Sequence, residues 1–312
     1  MCAASGNRDG QHASQALSGC GLIRDVPLWK HTSLRVGGPA HSFAQPADAA
    51  ALLSMLQWAK RTRRPCVILG AGTNIVFSDT GFDGLVVATT KLRGRSTDGV
   101  RIQVAGGERL TEIAWMATRS GLSGLEWACG IPGTIGGAVV MNTGAAGSEI
   151  GDVLESTDLV VEDAVETVPA TALRLGYRTS ALRTGELTGT AVAATFVLQQ
   201  DAAEICIERA RRMLAERLQR LPIGASAGSI FRNPANGPTA GELLDRAGCK
   251  GLRMGQAVVS SQHANIIINE GTRNAWEILS LIDVMKRRAF DRFGIELEEE
   301  IVRLDQTSTE RL

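Results

Sequence analysis

Several short segments hold the residue types from which a binding site is built. Gly70-Ala71-Gly72-Thr73-Asn74 follows the apolar run Cys66-Val67-Ile68-Leu69. Glycine lets a backbone approach a ligand closely and aim successive N–H groups at phosphate oxygens, and Thr73 and Asn74 add side-chain donors. No Lys follows the Gly pair and no third Gly completes a dinucleotide fingerprint, so this is neither a Walker loop nor a full Rossmann turn. A tight turn and a phosphate cradle both fit it. The second segment, Ile131 to Gly144, is denser: Gly130, Gly133, Gly136 and Gly137 fall within eight residues. Each Gly weakens a helix or strand, so such a run either bends sharply inside a core or lies against a ligand. Two Gly-rich segments about 60 residues apart suit a large flat cofactor carrying a pyrophosphate.

Ser226-Ala-Gly-Ser229-Ile-Phe-Arg-Asn-Pro234 is a Gly-containing turn that can present a Ser hydroxyl, or simply turn the chain. Tyr177-Arg178-Thr179-Ser180 holds the single Tyr. Arg178 there can pair with a carboxylate or phosphate, or lie in a surface loop. Glu298-Glu299-Glu300, ahead of Ile301 and Val302, reads as a solvated acidic strand end or as the source of a site acid.

These residues need elements to place them. Residues 46–64 have the apolar spacing of a helix, with Leu52, Leu53, Leu56 and Ala59 on one stripe. Arg61, Arg63 and Arg64 follow at its C-terminal end, where positive charge suits the helix dipole. Strands are expected at Cys66–Leu69, Leu85–Ala88 and Val100–Val104, and a helix over 108–120 stopped by Gly121. β-rich stretches follow at 153–168 and 190–199. Residues 201–220 are strongly helical, with Asp201 and Glu204 placed as N-cap and first-turn acid. Strands at 257–260 and 265–269 precede a long helix over 272–293. The change of character near 200 sets the expected domains: a flexible leader over 1–24, a first domain over 25–200 and a second over 201–312.

Composition removes whole classes of function. Lys plus Arg and Asp plus Glu are both 33, so the net charge is zero. Affinity for nucleic-acid backbone needs an excess of Lys and Arg, and one Tyr with seven Phe makes a poor stacking platform. No nucleic-acid partner is expected. Six Cys form no C-x-x-C pair, and the four His have no ligand spacing, so neither a disulfide framework nor a metal site is expected. The first residues lack an apolar core of the signal-peptide kind. The longest uncharged run, Trp127 to Ser148, carries six Gly and is a poor membrane span. A soluble cytoplasmic protein is the default expectation, with oligomeric state open.

Five segments in order give the chain a specific resemblance. They are Thr32-Ser-Leu-Arg-Val-Gly-Gly38; Leu69-Gly-Ala-Gly-Thr-Asn74 with Gly81-Phe-Asp-Gly84; Gly130-Ile-Pro-Gly-Thr-Ile-Gly-Gly-Ala-Val-Val-Met-Asn142; Tyr177-Arg-Thr-Ser180; and Ser226 to Pro234. From about Leu34 to Arg303 the chain resembles the UDP-N-acetylenolpyruvoylglucosamine reductase family, flavoenzymes of peptidoglycan synthesis. The resemblance implies an α+β protein: a two-subdomain FAD-binding fold of the PCMH/vanillyl-alcohol-oxidase type, plus a C-terminal α+β substrate-binding domain. It implies non-covalent FAD, NADPH as co-substrate and a UDP-sugar as substrate.

Carried over position by position, the resemblance implies that Arg178, Ser229 and Glu300 are catalytic. It implies FAD contacts from Leu69, Gly70, Ala71, Gly72, Thr73 and Asn74, and from Ile131, Pro132, Gly133, Thr134, Gly137 and Asn142. Arg178, Arg232 and Asn233 are the implied substrate contacts. The family pattern departs here in places: Glu299 stands where a Pro is usual, Ala146 where an aromatic is usual, and Gln256 where a Gly is usual. The short stretch after Ser180 resembles the subfamily lacking an inserted loop whose Tyr covers the substrate. The alternatives are another FAD-dependent oxidase of the same fold, which would attach flavin through a His or Cys such as Cys129, and a sugar-nucleotide binding protein without activity.

Overall fold

A computed structural model of the chain describes residues 21–306 and Ser308. Most of the expected leader, with Cys2, His12 and Cys20, lies outside the described residues. Its last part does not behave as leader: Ile23 and Arg24 already belong to the first strand, β1 (Ile23–Pro27).

Along the chain β1 and β2 (Pro39–Ala44) precede helix α1 (Ala49–Arg61), β3 (Cys66–Leu69), the short β4 (Ile75–Phe77) and β5 (Phe82–Ala88). The first sheet has the order β1-β2-β5-β3. Parallel pairing of β2 and β3 with the central β5 requires a crossover, and α1 supplies it. Asp48 starts α1 by accepting the Ala51 N–H at 2.8 Å. Leu52, Met55, Trp58 and Ala59 form its buried face against Leu85 and Val87. Leu53 and Leu56, expected on that stripe, are only half-buried.

The second sheet is built from β6 (Arg95–Asp98), β7 (Arg101–Ala105), β8 (Leu154–Val161), β9 (Ala164–Pro169) and β10 (Thr190–Val197), all antiparallel in the order β9-β8-β10-β7-β6. Helices α2 (Leu110–Arg119) and α3 (Ile135–Val140) share its core through Ile113, Ala117, Ile135 and Val139. The Gly-rich second segment is therefore partly helical, and Thr134 caps α3 at the Gly137 N–H. Four residues, Ala181–Thr184, form α4. Helix α5 (Ala203–Arg220) packs Ala210 into the core of this second sheet, although a place in the C-terminal domain was expected. Its N-cap is Ala202, without a side-chain cap. Asp201 instead accepts the Ala202 N–H and pairs with Arg209, which also reaches the buried Glu126.

The rest of the chain holds α6 (Ala240–Arg246), a three-stranded sheet of β11 (Arg253–Met254), β12 (Ala257–Val259) and β13 (Ile267–Asn269), helix α7 (Ala275–Phe293) and β14 (Val302–Leu304). Its core of Ile230, Phe231, Leu244, Ile278, Ile282 and Met285 takes in Leu34, Val36 and Val76 from the N-terminal half. Polar stitches accompany this packing. Asp79 accepts the Ala275 and Trp276 N–H groups at the start of α7, at 2.6 and 3.0 Å. The Asn269 amide donates to the Leu34 carbonyl at 2.6 Å. Most important for the site, β14 pairs in parallel with β4, Val302 opposite Ile75. The acidic segment just before β14 is thereby laid beside the Gly70–Asn74 loop just before β4.

Candidate active site

A cleft of about 1220 Å³ runs between these bodies. Its floor comes from the two Gly segments. They touch each other: a Cβ on Gly70 would lie 2.5 Å from Thr134 Oγ1. Gly72 has φ +64, and a Cβ there would meet the His31 carbonyl at 2.0 Å, so only glycine allows this turn. Gly133 differs. At φ +150 its Cβ would meet nothing nearer than Thr73 Oγ1 at 3.8 Å, so a side chain there would project into open cleft. Bare backbone on both segments is the surface a flat ligand with a pyrophosphate needs, and the residues present fit FAD.

Above that floor stand three groups from distant parts of the sequence. Arg178 sits on a turn closed by paired Gly176 and Thr179 hydrogen bonds, both 3.1 Å. Its φ is +55, a conformation uncommon for a residue with a side chain. From there its Nη2 donates to the Gly144 carbonyl at 2.6 Å and its Nε lies 3.1 Å from Glu300 Oε1. Glu300 is pinned through its backbone: its N–H donates to the Ile230 carbonyl at 2.8 Å. Its own carbonyl accepts from Asn74 Nδ2 and Arg183 Nη2, both at 3.0 Å. Burial pushes the Glu300 carboxyl above the ordinary carboxylate range, against the opposing pull of Arg178, Arg183 and Arg232. Ser229, next to Ile230 and paired across a bridge with Ile266, lines the same cleft.

The three consecutive Glu separate into three roles. Glu298 pairs with Arg232, Glu299 grips Arg303 with both oxygens at 2.6 and 2.8 Å, and only Glu300 reaches the cleft. The geometry thus selects Glu300 over Glu299 as the group beside Arg178.

Of the other expected site residues, Gly70, Ala71, Gly72, Thr73, Asn74, Ile131, Pro132, Gly133, Thr134, Gly137 and Asn233 line the cleft. Three do not. Leu69 is fully buried in the core of the first sheet. Asn142 is fully buried, with its amide nitrogen donating to the Gly176 carbonyl and its oxygen accepting from the Gly151 N–H, both at 2.9 Å. It braces the Arg178 turn and does not face a ligand. Arg232 lies behind Arg178 and off the cleft wall. Asn74 lines the cleft, yet its amide is committed to Glu300.

Sequence reasoning missed Arg217, which reaches the cleft from α5 beside Gly130. Burial, and then the like charges of Arg220 and Arg178, lower its pKa. The missed signal was its place on the face of α5 one turn before Leu221-Pro222. Arg63 and Arg64, expected at a solvated helix end, also line the cleft, and Arg64 pairs with Asp83 at 3.2 Å. Cys129, the one Cys in a Gly segment, is buried off the cleft wall. Burial pushes its thiol up to about 11, so it offers no thiolate for a covalent flavin link. Gln256 is remote from the site, and its N–H is held by Glu277 at 2.7 Å.

Comparison with known proteins places this geometry. Residues 219–304 match the model of the UDP-N-acetylenolpyruvoylglucosamine reductase C-terminal domain, and residues 40–167 match an FAD binding domain. The UDP-N-acetylenolpyruvoylglucosamine reductase of Synechococcus elongatus is 39% identical over 284 residues, 90% of this chain and 93% of that protein. That of Gloeobacter violaceus is 40% identical over 280 residues, 88% and 94% of the two chains. The crystal structure of the Thermus caldophilus enzyme of the same name superposes with a TM-score of 0.76 at 32% identity, covering 91% of this chain and 98% of that one. Sequence and fold agree over nine-tenths of its length and the domain matches fall within that span, so this chain belongs to the UDP-N-acetylenolpyruvoylglucosamine reductase family.

Proposed function

We propose that this chain reduces the enolpyruvyl double bond of UDP-N-acetylglucosamine enolpyruvate to give UDP-N-acetylmuramate, with FAD as cofactor and NADPH as electron donor. The observation that carries the reading is the Arg178–Glu300 pair. Cation and largely buried carboxyl, far apart in the sequence, meet at 3.1 Å in a cleft that also holds the Ser229 hydroxyl.

Bound FAD supplies the hydride chemistry. The segments at 70–74 and 131–137 would hold it, with backbone N–H groups for the pyrophosphate and no side chain from Gly133 in its way. Arg178 offers a planar guanidinium to the substrate carboxylate, where negative charge collects as the distal carbon gains hydride. Glu300, whose carboxyl burial pushes above its ordinary range, holds the Arg178 guanidinium beside the same developing charge. Ser229 then gives a proton to the carbon next to the carboxylate, which is basic enough to take it from a hydroxyl. Arg217 adds a positive charge for a diphosphate. The chain shows no separate dinucleotide fingerprint for NADPH, so NADPH and the sugar nucleotide use the one cleft in turn.

In the domain division that fits this chemistry, the chain from β1 through α5 holds the cofactor and the part beyond α5 brings Ser229 and Glu300. Only residues 185–189 join α4 to β10. That short link supports the subfamily without a substrate-covering Tyr loop. Among the described residues no helix is long and apolar enough to cross a membrane, and nucleotide substrates suit a cytoplasmic reaction.

The test is NADPH oxidation by FAD-loaded protein with and without the enolpyruvyl substrate. Stimulation by the substrate, with one lactyl ether formed per NADPH, is expected. NADPH oxidation that consumes only oxygen would overturn the reading.

A further inference from the structure

Arg232 is one residue past the Ser229–Phe231 segment and 17% exposed in its side chain. Its contacts are to the backbone of Arg178 and to Glu298 and not to the open cleft. Its N–H donates to the Glu298 carbonyl at 2.8 Å, and its Nη1 meets Glu298 Oε1 at 2.8 Å. Its Nη2 donates to the Arg178 carbonyl at 3.1 Å, while its Nε is buried without a partner. Arg178 lies in a turn with left-handed backbone, and among the described residues no backbone N–H donates to its carbonyl. A carbonyl so placed needs a donor from elsewhere, and Arg232 is that donor.

We propose that Arg232 is a positioning residue, whose forked guanidinium ties the Arg178 turn to the segment carrying Glu300 and thereby sets the distance between those two groups. The proposal rests on the reading of Arg178 and Glu300 as site groups. The lever is short and stiff. Residues 298–300 are held at one end by the Arg232 N–H and at the other by the Ile230 carbonyl, which accepts the Glu300 N–H. Arg232 spans from this strip to Arg178 with two donors in fixed relation. A Lys has a single point of donation and cannot serve Glu298 and the Arg178 carbonyl in the same geometry.

Charge provides a second, separable effect. The charged groups facing Glu300 are the guanidiniums of Arg178, Arg183 and Arg232. Removing the charge at 232 raises the pKa of Glu300, whereas Lys retains most of the charge while losing the fork.

The experiment compares the FAD-loaded wild type with Arg232→Met and Arg232→Lys. Without substrate, amide hydrogen exchange at 176–179 is expected to speed up at least tenfold in both variants, with β8 and β10 unchanged. With substrate, kcat is expected to fall at least tenfold in both with KM within threefold. The limb of the pH profile belonging to Glu300 moves upward in Arg232→Met only. Unchanged exchange at 176–179 would overturn the proposal. So would a rise in KM at constant kcat, which would mean that Arg232 touches the substrate. If Arg232→Met does not fold, Arg232→Lys decides through exchange and kcat. If the wild type itself ignores the enolpyruvyl substrate, the functional reading fails, and the exchange measurement still decides the role of Arg232.

Discussion

Asn74 and Glu300 are 226 residues apart in sequence and are joined twice. Asn74 Nδ2 donates to the Glu300 carbonyl at 3.0 Å, and the Val302 N–H donates to the Asn74 carbonyl at 2.9 Å. The second bond opens the β4–β14 pairing, so the last residue of the cofactor loop also fixes the backbone of the candidate acid. Asn74→Asp keeps the size and replaces the donor by an acceptor facing a carbonyl. The expected cost is about 1–3 kcal/mol, read as a fall in Tm of a few degrees, with FAD affinity within a few-fold of wild type. A tenfold loss of FAD affinity at unchanged Tm would mean that the amide serves the cofactor.

Arg178→Lys is expected to lower the rate of substrate reduction by about 10²-fold, the scale for losing one electrostatic donor in a closed site. Lys keeps the charge but cannot reach Glu300 and the Gly144 carbonyl together as the guanidinium does. Flavin content should not change, since Arg178 belongs to the substrate side of the reading. A rate within twofold of wild type would remove Arg178 from the site.

The sequence made the elements legible because their signals are local. The helix at 110–119 with Gly121 behind it, the apolar strand Cys66–Leu69 and the helix at 275–293 all lie where periodicity and stop residues put them. The Gly segments were legible as backbone kept bare for a close approach, but α3 inside the second was not, because its Gly content argues against helix. Thr134 and packing against the second sheet outweigh that cost. Asn142 looked like a ligand contact because it ends the Gly-rich motif. Only the fold shows both ends of its amide closed by Gly176 and Gly151. Likewise Glu298, Glu299 and Glu300 are equivalent as letters. Their division among Arg232, Arg303 and Arg178 depends on the β14–β4 register and on which partners the tertiary structure brings near.

Glu300→Gln tests the electrostatics of the acid through stability. Burial holds the Glu300 carboxyl above its ordinary range in the folded chain. The folded state therefore binds this proton more tightly than the unfolded state. The group's favourable contribution is complete at low pH and is lost as pH rises through the raised value. Gln cannot ionise and does not suffer this loss. The difference in Tm, Gln variant minus wild type, should grow from pH 5 to pH 8. A difference that shrinks with pH would show that Arg178, Arg183 and Arg232 together outweigh burial.

Gly133→Val is expected to yield folded, colourless protein. The residue has φ +150, which costs a branched side chain on the order of 1–3 kcal/mol. Its Cβ points to open cleft, so the added methyls would occupy space that the cofactor needs. Circular dichroism near that of wild type, with no flavin absorbance after incubation with FAD, is the predicted pair of results. Normal yellow colour would show that the flat ligand does not pass over Gly133.

Ser229→Ala separates proton delivery from everything that precedes it. The Ser229 backbone is fixed by its bridge to Ile266, and the neighbouring Ile230 carbonyl accepts the Glu300 N–H, so removing the hydroxyl leaves the frame intact. FAD binding draws on the Gly segments, and reduction by NADPH needs only alignment in the cleft, so neither step uses the hydroxyl. The variant should stay yellow and bleach with NADPH at the wild-type rate. Re-oxidation by the enolpyruvyl substrate should slow by roughly 10²–10⁴-fold, the usual loss when a general acid is removed. Stopped-flow absorbance of the flavin reads both steps on one sample. A Ser that only shapes its turn would change both steps slightly, or lower Tm alone. If re-oxidation stays within a few-fold of wild type, the proton comes from another group, and Glu300 and Tyr177, which both line the cleft beside Arg178, become the first to test.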